Sequence, residues 1–95
     1  MRRIRISRKR NRGVWGLAFQ DQNRIELDPD LDERLLLEIA VHEATHLACP
    51  DLAEEAVDRI GKAAGDVLWR VGFRMGDWAL RTGIRDSVWE NLRPA

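Results

Sequence analysis

Ninety-five residues with sixteen basic and sixteen acidic side chains carry no net charge, so no global field draws the chain to nucleic acid or to a membrane surface. The length makes one domain, residues 1–95, with a modest core that a bound metal would help to hold. Cys49 has no partner for an internal disulfide, which makes a reducing, cytoplasmic setting the expectation, and no apolar run approaches a membrane span.

Residues 2–7 alternate basic and apolar side chains, the pattern of a half-exposed strand. Ser7 to Gly13 is polar and basic and reads as a loop. Val14 to Phe19 reads as a second strand, Asp21-Gln22-Asn23 as a turn, and Arg24 to Asp28 as a third, alternating strand. This third strand is expected to be an edge on which an extended peptide could add by backbone hydrogen bonds. Asp30 or Asp32 can cap the helix that follows, which runs from about Leu31 to Ala48 and is stopped by Pro50. A second helix is expected from Leu52 to about Gly72, with Asp51 as its cap and an apolar stripe centred near Ile60. Gly72 and Gly76 flank a break, and Asp77 to Arg93 reads as a shorter helical segment. The expected class is α+β: a small antiparallel or mixed sheet of about three strands packed on the first helix, then the second helix and the C-terminal segment. Trp15, Trp69, Trp78 and Trp89 are expected in the core or at an interface. Residues 74–95 have two readings, a cover over the site or a homodimer contact.

Charge is distributed unevenly. Arg2, Arg3, Arg5, Arg8, Lys9, Arg10 and Arg12 have no acid among them, whereas residues 21–58 hold twelve acids against Arg24 and Arg34. Residues 2–12 could track phosphates of a nucleic acid. A solvated edge whose charges discourage aggregation is the preferred reading.

The chemistry concentrates in His42-Glu43-Ala44-Thr45-His46. Four residues apart on a helix, both imidazoles project from one face, one turn from each other, and can share one Zn²⁺. Glu43 lies about 100° round the helix, able to reach a water without being a ligand. Two histidine ligands and a glutamate general base are the arrangement of a metallopeptidase. Catalytic zinc usually takes a third protein ligand and leaves one position for water, and the chain has no third histidine. Glu54 is the preferred candidate because it borders the buried face of the second helix. Glu55, which points more to solvent, and Asp51, in the turn, are alternatives. Cys49 would need the helix to unwind and is expected to be a small buried residue. Asp58 could orient a ligand histidine, although a solvated surface role is preferred.

From Ile25 to Phe73, about half the chain, these residues resemble the zincin superfamily of metallopeptidases. A strand at Arg24 to Asp28, the helix bearing His42-Glu43-Ala44-Thr45-His46 and a following helix beginning Leu52-Ala53-Glu54-Glu55-Ala56-Val57-Asp58 look like a minimal gluzincin. They are similar also to SprT-like and small phage-encoded metallopeptidases, whose second helix ends much like Leu68-Trp69-Arg70-Val71-Gly72-Phe73. The metzincin pattern would want Gly at position 49 and His or Asp at position 52; Cys49 and Leu52 exclude it. The resemblance implies a glutamate third ligand on the second helix, Zn²⁺ as cofactor, Glu43 as general base and a peptide or protein as substrate. Larger gluzincins add a second domain, for which this chain has no room. The competing expectations are a metal-stabilised interaction protein whose site is closed by a fourth protein ligand such as Cys49, and a nucleic-acid-associated metal hydrolase.

Overall fold

The structure is a computed structural model that describes residues 2–11 and 13–74. The expected helical segment Asp77 to Arg93, with Trp78 and Trp89, lies outside the described residues, as does nearly all of the expected cover or homodimer contact at 74–95. The described residues form an α+β fold: β1 (Arg5–Arg8), β2 (Gly16–Phe19), a 3₁₀ turn (Gln20–Gln22), β3 (Arg24–Leu27), α1 (Glu33–Ala48) and α2 (Glu54–Arg70). No helix among these residues is long and apolar enough to cross a membrane.

The sheet is mixed, in the order β1-β3-β2. β1 runs parallel to β3, and β2 pairs antiparallel with β3, so that Ile6, Ile25 and Ala18 lie in one register row. The turn between β2 and β3 closes on Asn23 in the left-handed conformation (φ 49°), one that asparagine tolerates better than most residues. β3 is therefore the central strand, and the expectation that Arg24 to Asp28 forms an edge is corrected: β2 and β1 are the edges. β1 is also shifted along the chain, because Ser7 and Arg8 pair with Glu26 and Leu27 instead of starting a loop.

The central position buries both faces of β3. Ile25 and Leu27 point into the core with Leu31, Leu36 and Ile39. Glu26 points the other way and is also buried. It accepts hydrogen bonds from Arg24 (2.7 Å) and Asn11 (3.0 Å). The bond from Arg24 holds its carboxyl below the usual range, against the opposing effect of burial, and Asn11 adds to the lowering.

Asp32 caps α1, accepting from the Leu35 backbone N–H at 2.8 Å. Leu31 before the cap and Leu36 in the first turn join the same cluster, a hydrophobic staple that sets the entry angle of the helix. α2 starts at Glu54, and its cap is Ala53 without a side-chain hydrogen bond, in place of Asp51. Ala53 instead accepts backbone N–H groups from Ala56 and Val57.

α1 is the middle of three layers, with β2 and β3 on one side and α2 on the other. The buried residues of α2 are Val57, Gly61 and Gly65, whereas Ile60 is exposed. The edge of the apolar stripe that holds Val57 is therefore buried, while its centre at Ile60 is exposed. The reason is steric. A Cβ on Gly65 would lie 3.0 Å from Glu38 Cα, and one on Gly61 would lie 3.0 Å from the Glu38 carbonyl oxygen and 3.2 Å from His42 Cβ. A side chain at either position would require the neighbouring backbone to give by a few tenths of an ångström, so glycine suits this approach. Trp15 is 55% exposed and so lies outside the core, the first of its two expected places.

Gly65→Ala reverses the usual sign of a glycine-to-alanine change in a helix. Propensity alone would stabilise by up to about 1 kcal/mol, but contact with the Glu38 backbone forces the helices apart, and we expect a loss of about 1–3 kcal/mol. Urea unfolding of the two proteins measures the difference. A stabilised variant would show that the helices do not touch here.

Candidate metal-binding site

A helix with 3.6 residues per turn divides the five-residue motif between two neighbours. His42 and His46 face α2, and Glu43 faces β2, where a Cβ on Gly16 would lie 3.0 Å from Glu43 Cγ and 2.9 Å from Ile39 Cγ2. The two imidazole centroids are 5.0 Å apart with planes at 67°. Glu54, first residue of α2, reaches across to both: His42 Nε2 is 2.9 Å from one carboxylate oxygen and His46 Nε2 is 3.0 Å from the other.

The three donors lie within 4.8 Å of one another. A tetrahedral zinc ion with bonds of about 2.0–2.1 Å holds its donors about 3.3 Å apart, so opening these contacts by a few tenths of an ångström would admit it. Two neutral imidazole nitrogens and a carboxylate are a donor set that suits zinc. The histidine rings are largely covered, while the Glu54 side chain is 69% exposed, which leaves an open side toward solvent.

The reason Glu54 is the residue in place differs from the sequence argument. Glu54 precedes Gly61 by seven residues, about 20° round a helix from it. Since Gly61 and Gly65 form the contact line with α1, Glu54 lies on that line and not beside it. Glu55 and Asp51 are exposed and outside the donor cluster. Cys49 is exposed at the C-terminal end of α1, not buried as expected, and is also outside the cluster.

Asp58 is one turn beyond Glu54. Its carboxylate oxygen is 3.8 Å from His42 Nδ1, close enough for charge attraction and too far for a hydrogen bond, and Lys62 grips it at 2.6 Å. That hydrogen bond holds the Asp58 carboxyl below its usual range and raises Lys62. Asp58 is thus neither fully solvated nor a ligand, but placed behind the histidine.

Glu43 is buried, with only 8% of its surface accessible. Burial is the largest influence on its carboxyl and raises the pKa. Positive charge on His42 and His46 would pull it down, and Glu54 adds to the rise. Gln20 donates its side-chain N–H to the His46 carbonyl at 3.1 Å, tying the end of β2 to the C-terminal end of α1. Between them opens a groove of about 360 Å³ lined by Gly16, Leu17, Ala18, His42, Glu43, His46 and Glu54 among others. A larger cleft of about 670 Å³ continues it past Trp15 and Val14. Sequence reasoning did not foresee that β2 and Gln20 form this wall, because which strand becomes the edge is decided by pairing order and not by any local pattern.

The basic N-terminal stretch is partly occupied by internal partners. Arg10 pairs with Asp30, Arg5 donates to the Gln22 carbonyl and Arg8 to the Pro29 carbonyl.

No family model, curated protein or solved structure matches the chain.

Titration with Zn²⁺ distinguishes the candidate third donors. Glu54→Ala should weaken zinc binding at least tenfold relative to wild type, whereas Glu55→Ala, on the next residue, should leave it within about twofold; equal effects would detach Glu54 from the site.

Proposed function

We propose that the protein is a zinc-dependent metallopeptidase of the zincin type, with His42, His46 and Glu54 as ligands and Glu43 as general base. The observation that carries this reading is the convergence of three donors on one point beside a buried carboxylate in the same groove. Zinc, when bound, supplies a Lewis acid that acidifies a water and polarises a carbonyl. The protein's own part is positional and protonic. Glu43 receives the proton of the attacking water and passes it to the leaving amine, and burial, which raises its pKa, makes it a stronger base than an exposed carboxylate. The burial under β2 that raises this pKa also limits solvent around the transfer.

β2 fits the role of substrate platform. It is an edge strand, and it flanks the groove through Gly16, Leu17 and Ala18. An extended peptide or protein segment added to it would lie across the donors. The chain has no tyrosine, so no phenol assists the oxyanion.

The interaction-protein reading requires a fourth protein ligand. Among the described residues Cys49 and the other candidate donors lie outside the cluster, which favours an open coordination position over a closed one. The nucleic-acid reading is weakened because several arginines of residues 2–12 already have intramolecular partners. A lone exposed cysteine accords with a reducing, cytoplasmic setting.

Glu43→Gln should retain zinc and lose about 10²–10⁴-fold of peptide hydrolysis. The assay follows cleavage of a quenched peptide library by zinc-loaded wild type and variant at matched metal content. Equal cleavage by the variant, or no cleavage of any peptide by wild type, contradicts the proposal.

A further inference from the structure

The cleft of about 670 Å³ beside the metal groove has a floor, two walls and an uneven charge. Its floor is one face of α1, where Leu35, Glu38 and Ile39 lead to His42 and Glu43. Their spacings of three and four residues keep them in line along the helix. Val14 and Trp15 form one wall, and Asp58 and Lys62 of α2 form the other. The volume falls in the ~300–1,000 Å³ range of ligand clefts.

The backbone holds the aromatic wall in place although its side chains are open to solvent. Trp15 is 55% accessible and Val14 37%. The Trp15 carbonyl accepts the Asp28 N–H at 2.9 Å, and the Val14 N–H donates to the Asn11 carbonyl at 3.3 Å. The Asn11 side chain is bonded in turn to the buried Glu26. Charge on the other side is unbalanced. Lys62 donates to Asp58 at 2.6 Å. Asp58 first, and Glu38 less strongly, hold Lys62 protonated. Two carboxylates thus share one ammonium, and Glu38, half-buried, makes no hydrogen bond among the described residues. Apart from His42 and Glu43, which belong to the proposed metal centre, the described lining carries two acids against one base.

We propose that this cleft is the subsite for a lysine or arginine side chain of the peptide substrate, its stem lying along Val14 and Trp15 and its cationic head meeting Glu38. The inference rests on the metallopeptidase reading above. Glu38 precedes His42 by four residues, about 6 Å along the helix. The four-carbon stem of lysine spans that distance from a peptide held at the metal centre. A cation over the indole face is attracted by the ring quadrupole, and the stem covers the apolar wall. An aliphatic or aromatic side chain would fill the same walls but take the Glu38 carboxylate out of water without a partner. An acidic one would meet Glu38 and Asp58 as like charges.

The test incubates the zinc-loaded full chain with a mixed peptide library and reads the cut bonds by mass spectrometry. Lysine and arginine should be enriched about tenfold over leucine at one position beside the cut bond. Glu38→Gln should bring that enrichment close to unity, and Trp15→Leu should reduce it about two- to fivefold. Cutting with no basic enrichment at either flanking position overturns the subsite, and so does basic enrichment that Glu38→Gln leaves intact. Absence of any cut contradicts the peptidase reading by itself, and NMR titration of the same zinc-loaded protein then decides the subsite. The compounds are N-acetyl-arginine amide and N-acetyl-leucine amide. Shifts of the Trp15 indole N–H with the arginine compound alone, lost in Glu38→Gln, support it; equal shifts or none overturn it.

Discussion

The close crossing of α1 and α2 is the constraint from which the site follows. Gly61 and Gly65 let the α2 backbone touch the Glu38–His42 stretch of α1 with no side chain between. On the opposite side of α1, Gly16 and Ala18 are the β2 residues facing the helix, and Gly16 allows the same kind of approach to Ile39 and Glu43. α1 is thus held on two sides by small residues, and its motif divides accordingly. The histidines go to the helix side, where a carboxylate arrives from α2. Glu43 goes to the sheet side, where it is buried. Larger side chains at these glycines would separate the layers and move Glu54 away from the imidazoles.

Two glutamates of the same intrinsic chemistry acquire different surroundings from this packing. Glu54 begins a helix, has most of its side chain in solvent and touches both histidines. A carboxylate within reach of both imidazoles is a donor that a metal ion can use. Glu43 lies under β2, where burial favours its protonated form. In the proposed reading, solvent exposure suits Glu54 as a metal ligand and burial suits Glu43 as a proton carrier. Asp58, steadied by Lys62, stands behind His42 at a distance where its charge is felt without a direct hydrogen bond.

Much of this was legible in the sequence because it depends on local periodicity. The α+β order, the helix at 33–48, the two histidines on one face and the acidic start of the next helix are consequences of spacing along one element. What was not legible depends on pairing between elements. The third strand alternates as an edge strand would, yet β1 pairs with its free side and makes it central, so the edge beside the site is β2. The apolar stripe around Ile60 is the strongest periodic signal in α2, yet its centre is exposed and the closest approach to α1 runs through Gly61 and Gly65. Glycines carry no hydrophobic signal, so Gly61 and Gly65 left no mark on the pattern although they set the contact. Glu54 was reached from the wrong stripe, and its place follows from its seven-residue spacing to Gly61. Cys49 is exposed where apolar character alone suggested burial.

X-ray absorption of the zinc-loaded protein tests the central claim most directly. Bound zinc should show two imidazole nitrogens and oxygen ligands at about 2.0–2.1 Å in four-fold coordination, with one oxygen exchangeable as water. Sulfur scattering at about 2.3 Å would mean that Cys49 closes the site. Failure to bind stoichiometric zinc would mean that the His42–Glu54–His46 contacts are ion pairs of the fold and nothing more.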